Sequence, residues 1–377
     1  MAQYKPLIRD DLAGYRPYGA PQLDVEVCLN VNENPFPPSS ALVGALAENV
    51  ATAAVRMNRY PDRDFPELRR ALANYLERES GVRLRLESIW AANGSNEVMA
   101  HVMHAFGGPG RTALTFPPTY SMYPEYARES FTDLVSVPRR DDFTVDMGAS
   151  LAAIAVLRPS VVLLASPNNP TGTSIDLIDV ARIARAVADV QGVLVVDEAY
   201  AEFRREGVPS ALELLADHTN VIVTRTMSKA FAMAGARVGY AAAHAAVVDA
   251  LRVVRLPYHL STITQAVAMT ALEFADELQN DVALLREQRD DLARALESRG
   301  LTVAPSDANF CFFGSFPDRH QVWQGLLDRG VLIRETGPEN WLRVSVGTPE
   351  ENARFIAALD EVLAPLQSDG KGNGGHG

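Results

Sequence analysis

The chain has 377 residues, 47% of them hydrophobic and 22% charged, a balance that excludes a disordered protein and a small stapled module and suits one large α/β domain with a smaller companion. Against 35 lysines and arginines stand 47 aspartates and glutamates, a net charge of −12. That field repels nucleic-acid backbones and anionic lipid, so any anionic ligand must be captured by a local cluster of donors.

Residues 1–14 carry Lys5, Arg9, Asp10 and Asp11 and lack the apolar run of a secretory leader. The longest uncharged apolar stretches, 151–157 and 238–248, fall short of the roughly 18 residues a membrane span needs. A cytoplasmic protein, without membrane or nucleic-acid partners, is the expectation. Cys28 and Cys311 lie far apart without C-x-x-C spacing, as reduced thiols would, although a bridge between them stays open. The arm before Ser40 is punctuated by Pro17, Pro21, Pro35, Pro37 and Pro38, and a short helix is expected from Ser40. Leu68, Leu72, Tyr75 and Leu76 predict a helix from Glu67, and Val98, Val102 and Phe106 another from Glu97.

The runs 161–165, 193–196 and 221–223 are continuous and β-branched, as in strands buried on both faces of a parallel sheet, with a helical stretch at 177–190. This alternation predicts a doubly wound sheet that receives ligands at the carboxyl ends of its strands. From Thr264 long amphipathic helices take over, with Leu284, Leu285, Leu292 and Leu296 along a charged run ending at Gly300. Short strands at 309–313, 331–334 and 341–346 and a helix at 349–363 follow. The expected division is an arm with part of a small domain over 1–50, a large ligand-binding domain over 51–265, a C-terminal small domain over 266–366 and a disordered glycine-rich tail over 367–377.

Polar motifs sit just past the predicted strands. Ser166-Pro167-Asn168-Asn169-Pro170-Thr171-Gly172 follows the first, Asp197-Glu198-Ala199-Tyr200 the second and Thr224-Arg225-Thr226-Met227-Ser228-Lys229 the third. Taken singly these read as a turn, a helix cap and a surface lysine. Spaced by about thirty residues, one strand–helix–strand unit, they converge on one crevice rim. Upstream, Asn93-Gly94-Ser95-Asn96-Glu97 opens a helix and offers free N–H groups and a capping hydroxyl to a phosphate, to which Ser228 and Arg237 can add a hydroxyl and a guanidinium. A phosphate cradle, a carboxylate, an amide, a phenol and a lysine in one crevice meet the needs of pyridoxal phosphate. Nucleotide-style glycine patterns at 108–113 and 370–375 lack the strand-to-helix setting they require, and His101 with His104 reads as packing rather than as a metal pair.

In this order, the motifs at 93–97, 166–172, 197–200 and 228–231, with Gly235-Ala236-Arg237-Val238-Gly239-Tyr240, resemble the pyridoxal-phosphate enzymes of the aspartate-aminotransferase fold, also called fold type I. Asn32-Glu33-Asn34-Pro35, Arg59-Tyr60-Pro61-Asp62, the run 257–261 and Trp341-Leu342-Arg343-Val344 resemble the histidinol-phosphate aminotransferases among them, and the resemblance runs from Ile8 to Leu363. It implies a large, mostly parallel sheet domain with helices on both faces plus a smaller α+β domain. It also implies that Lys229 bonds the cofactor aldehyde and then acts as base, and that Asp197 pairs with the ring nitrogen. Asn169 and Tyr200 would bond the ring hydroxyl and Tyr120 would stack on the ring. Ser95, Asn96, Thr226, Ser228 and Arg237 would hold the phosphate, joined by Tyr60 from the second subunit of a homodimer. Arg334 and Arg343 would hold the anionic end of the substrate, with Tyr18 closing over it and Asn34 beside it. The implied reaction passes the amino group of L-histidinol phosphate to 2-oxoglutarate, in histidine biosynthesis. An aromatic-amino-acid or secondary-metabolite aminotransferase, or a decarboxylase, remains an alternative on the same scaffold.

Overall fold

In the computed structural model, which describes residues 6–17 and 19–369, the proline-rich arm carries one two-residue strand, β1 (Val27–Cys28), ahead of helix α1 (Ser40–Ala54). That helix is fifteen residues long, not short: the Ser39 hydroxyl caps it by accepting from the Leu42 N–H, and an alanine-rich sequence carries it on. Helix α2 (Pro66–Ser80) starts on a proline and ends at Gly81, whose φ of 74° suits glycine.

The large sheet is assembled from β2 (Ile89–Ala92), α3 (Ser95–Phe106), β3 (Thr112–Thr115), α4 (Tyr123–Glu129), β4 (Asp133–Ser136), α5 (Met147–Leu157), β5 (Val161–Ala165), α6 (Leu177–Asp189), β6 (Val193–Asp197), β7 (Val221–Thr226) and β8 (Gly239–Ala243). Its seven strands run in the order β2-β8-β7-β6-β5-β3-β4. All neighbours are parallel except β8, which is antiparallel to both β7 and β2. The unbroken apolar runs of β5 and β6 are buried at every position, and each such Val or Leu side chain contributes about 1.5–3 kcal/mol.

The chain continues through α7 (Ala245–Val254), α8 (Thr262–Glu273), α9 (Ala275–Glu297), β9 (Thr302–Val303), β10 (Phe310–Gly314), α10 (Arg319–Leu327), β11 (Val331–Leu332), β12 (Arg334–Glu335), β13 (Trp341–Ser345) and α11 (Pro349–Asp369). A second sheet has the order β12-β13-β10-β9, and β11 pairs in parallel with β1 of the arm. The last helix runs on to Asp369, into the first residues of the expected tail; 370–377 lie outside the described residues.

Two large apolar cores and one small cluster, Phe143 with Ala304 and Phe312, result among the described residues. Helix α9 gives Leu278, Val282 and Leu285 to the core of the large sheet, and Leu292 and Leu296 to a second core shared with Val27, Leu29, β10, β13 and α11. One rigid helix thus ties the two together. Both cysteines are free thiols. His101 is buried and accepts from the Trp90 indole N–H at 3.2 Å, so it packs as expected. Among the described residues no His, Cys, Asp and Glu group could hold a metal ion, and no helix is long and apolar enough to cross a membrane.

Candidate active site

The parallel register carries the three post-strand motifs to one edge. Ala165 pairs with Asp197, Asp197 with Thr224, and Thr226 with Gly239, so the ends of β5, β6, β7 and the start of β8 form a continuous rim. Above it lies a cavity of about 480 Å³ whose wall includes Ser95, Asn96, Tyr120, Asn169, Asp197, Tyr200, Thr226, Ser228, Lys229, Arg237, Arg334 and Arg343. Tyr60 lies outside it, exposed and stacked on Tyr258 with centroids 4.6 Å apart. Asn34 is outside as well, its Oδ1 accepting from the Phe36 N–H, while Asn30 and Asn32 of the same arm reach the wall. Tyr18 falls outside the described residues.

The anion end of the cavity is built at the N-terminus of α3. The N-cap is Gly94, at φ 83°, and no side chain caps the helix; the expected hydroxyl cap is absent because Ser95 is already the first helical residue and the glycine before it has no side chain, while Glu97 accepts from the Asn93 N–H. The leading N–H groups of a twelve-residue helix are thereby left to a ligand. Gly239 lets this turn approach β8 so closely that a methyl group there would sit 2.1 Å from the Ser95 nitrogen. Opposite, Thr226 Oγ1 donates to Ser228 Oγ at 3.0 Å and Arg237 Nη1 donates to the same oxygen at 3.4 Å.

At the other end, Lys229 Nζ donates to the Val31 carbonyl at 2.9 Å. Desolvation, then the Arg343 guanidinium and, more weakly, that of Arg237, outweigh Glu33 and bring the lysine down to about 8. Asp197 is pushed up to about 6 by burial, against hydrogen bonds from Tyr123, Thr224 and the Ala199 backbone. Tyr200 Oη accepts from Asn32 Nδ2 at 3.0 Å and from Asn169 Nδ2 at 3.4 Å.

Arg343 donates to Asn169 Oδ1 and to the Asn30 carbonyl, which fixes its guanidinium against the wall. Its direct partner across the β12–β13 ladder is Arg334. Like charges placed opposite each other in a ladder repel, and an anion between them removes that penalty. Four cations therefore face a cavity in a chain of net charge −12, the local reversal that an anionic ligand requires.

A family model, aminotransferase class I and II, matches residues 25–359. The chain belongs to this family. Over 352 residues this aminotransferase is 61% identical to the histidinol-phosphate aminotransferase of Thermobifida fusca, covering 93% of this chain and 94% of that protein. It is 57% identical over 358 residues to histidinol-phosphate aminotransferase 3 of Burkholderia lata, covering 95% and 96%. Among solved structures, histidinol-phosphate aminotransferase from Sinorhizobium meliloti in complex with pyridoxal-5'-phosphate matches with a TM-score of 0.81 at 28% identity, covering 91% of this chain and 92% of that one. A Thermus thermophilus aspartate aminotransferase variant matches with a TM-score of 0.80 at 25% identity over 94% and 99% of the two chains. The fold of this aminotransferase is that of the aspartate aminotransferases, as its motifs implied.

Several groups at the aminotransferase site receive no role in the motif reading. Asn32 bonds Tyr200, Tyr123 and Thr224 bond Asp197, and Thr119 Oγ1 donates to Asn168 Oδ1 beside Asn169. For Thr224 a signal was available, since strand alternation puts it on the same side of β7 as Thr226. For Tyr123 no local pattern pointed to the site.

Proposed function

We propose that this aminotransferase moves the amino group of L-histidinol phosphate to 2-oxoglutarate, giving imidazole-acetol phosphate and glutamate, with pyridoxal phosphate as its cofactor. The observation that carries this reading is the conjunction, in one cavity, of a desolvated lysine at Lys229, a buried carboxylate at Asp197 and an uncapped helix N-terminus, in a chain 61% identical to a protein named for that activity.

The residues fit the cofactor. The glycine-walled turn at Gly94 and Gly239 leaves no room for a side chain and presents N–H groups, Ser228, Thr226 and Arg237 to a phosphate. Pyridoxal phosphate supplies an aldehyde that condenses with amines and a ring that takes up the electrons released at the substrate Cα. Lys229, neutral for part of its population near pH 8, would be the amine for that aldehyde and, when free, the base that takes up and redelivers the substrate's Cα proton. Asp197, as an anion, would keep a proton on the ring nitrogen. Asn169 and Tyr200 would hold the ring oxygen, and Tyr120 would pack on the ring. Arg334 and Arg343 bind the anionic end of each substrate in turn, the phosphate of the donor and a carboxylate of the acceptor.

We read the protein as a cytoplasmic homodimer with shared sites. Tyr60 is 81% exposed and stacked on Tyr258, and Val55, Met57 and Leu256, near one or the other along the chain, are exposed too, as suits a residue that reaches the phosphate of a second copy. The test is an amino-donor panel, following conversion of the bound cofactor to its amine form by absorbance. Histidinol phosphate should convert it fastest. Conversion by phenylalanine or tyrosine with none by histidinol phosphate would overturn the substrate while keeping the chemistry.

A further inference from the structure

Tyr123 opens α4 and is completely buried. Its hydroxyl lies 3.1 Å from Asp197 Oδ2, while Thr224 Oγ1 lies 3.2 Å from Oδ1, and the Ala199 N–H is a third donor to the same carboxylate. An ionised carboxylate offers about four acceptor positions. Each oxygen thus holds one fixed side-chain donor and keeps acceptor capacity, and the group can rotate only by giving up a bond. The Tyr123 ring also meets the Tyr120 ring edge-on, with centroids 5.7 Å apart and planes at 89°. One side chain thus touches both the carboxylate and the aromatic wall of the cavity.

The surrounding charges do not take over this role. Glu198, next to Asp197 in the chain, opposes its ionisation but is turned away to Ser210 and Arg225. Facing Tyr123 are Tyr120, Tyr126 and the Arg139 guanidinium, whose donors go to the carbonyls of Phe116, Phe143 and Ala165. Burial and the neighbouring carboxylate keep the Tyr123 phenol protonated well above the ordinary tyrosine range, so it stays a donor.

We propose that Tyr123 is a positioning residue for the cofactor's ring nitrogen: by donating to Oδ2 it holds Asp197 as an anion with its remaining acceptor capacity open to the cavity. The inference rests on the reading that pyridoxal phosphate is the cofactor. Tyr123→Phe removes the hydroxyl and keeps the ring. In the unloaded protein, infrared titration of the Asp197 carboxyl, identified by its loss in Asp197→Asn, should show the midpoint raised by about one pH unit, the scale of one hydrogen bond to a charged group. The dissociation constant for pyridoxal phosphate should rise about tenfold, and the pH midpoint of the bound cofactor's absorbance should move with it. Thr224→Val should act in the same direction, and the double variant more strongly than either.

An unmoved Asp197 midpoint in Tyr123→Phe, even with lowered thermal stability, overturns the proposal and leaves a packing role. A midpoint that moves while cofactor affinity and absorbance do not overturns it too. If the parent protein binds no pyridoxal phosphate, the functional reading fails, while the unloaded titration still decides whether Tyr123 governs Asp197.

Discussion

Gly239→Ala tests the cradle without touching a polar group. Gly239 begins β8 and pairs with Ala92 on one side and Thr226 on the other. Its backbone is ordinary, so the effect is steric alone: the new methyl would lie 2.1 Å from the Ser95 nitrogen and 2.3 Å from the Gly94 carbonyl carbon. Ordinary contact begins near 3.4 Å, so the turn at 94–95 has to move by about 1.3 Å, the difference between 3.4 and 2.1 Å. Backbone atoms, unlike a side-chain tip, cannot swing aside. Overpacking of this kind costs about 1–3 kcal/mol of stability. A displacement of about 1 Å at a binding group costs on the order of 100-fold in rate. Equilibrium dialysis should show pyridoxal phosphate affinity down at least tenfold, roughly 1.4 kcal/mol, with kcat/KM down about 100-fold. Gly44→Ala, on the exposed face of α1 with nothing within 4 Å of the new methyl, should leave affinity alone and stabilise by about 0.5–1 kcal/mol. Cofactor affinity in Gly239→Ala within twofold of the parent, with unaltered turnover, would refute the reasoning.

Lys229→Met should stabilise the unloaded protein near neutral pH. The unfolded lysine keeps its proton to about 10.5 and the folded one releases it at about 8, so between these values the unfolded chain binds more protons and parent stability rises with pH. The advantage of the variant in Tm should therefore be largest at pH 7 and fade towards pH 10.5, and parallel Tm curves would contradict it. Arg225 is fully buried among Glu79, Glu198 and Glu202, at 3.1, 2.8 and 3.3 Å. Arg225→Leu strands those carboxylates and should cost about 3–5 kcal/mol in urea unfolding of the unloaded protein; a loss under about 1 kcal/mol would mean that the cluster neutralises itself by protonation.

The sheet was legible where burial on both faces forces unbroken β-branched runs, as in β5, β6 and β7. It was illegible at β8, whose Gly-Tyr-Ala-Ala-Ala run has neither alternation nor branched residues and is a strand only because β7 and β2 flank it. The post-strand motifs stood out because the spacing of strand–helix–strand units brings their ends together, a consequence of topology that sequence distance carries. Asn32 and Tyr123 had no such marker. In the arm, Asn30, Asn32 and Asn34 share one parity, so strand alternation does not tell which of them faces the cavity; Asn32 takes a left-handed backbone, φ 55°, that ends the extended run, and the arm itself is placed by the pairing of β1 with β11 some 300 residues away: Val27 with Val331 and Cys28 with Leu332. Tyr123 enters from the start of α4, and nothing local in Tyr-Ser-Met-Tyr-Pro tells which tyrosine faces the carboxylate and which the cavity.

Asp197 and Lys229 are each shifted towards the neutral form, one raised to about 6 and the other lowered to about 8, and neither stands in an ion pair among the described residues. Three donors on Asp197 would ordinarily depress a carboxyl, so its upward displacement measures how strongly burial acts there. A protein that keeps such a pair unpaired is destabilised by it until a ligand arrives that places a cation against the carboxylate and consumes the lysine as a neutral amine. A ring bearing a protonated nitrogen on one side and an aldehyde on the other does both with one rigid molecule. An amine substrate alone could neutralise Asp197 but not engage Lys229, and a keto acid could engage Lys229 but would set a second anion beside Asp197. The opposite displacements of the two groups therefore suit a cofactor of that kind.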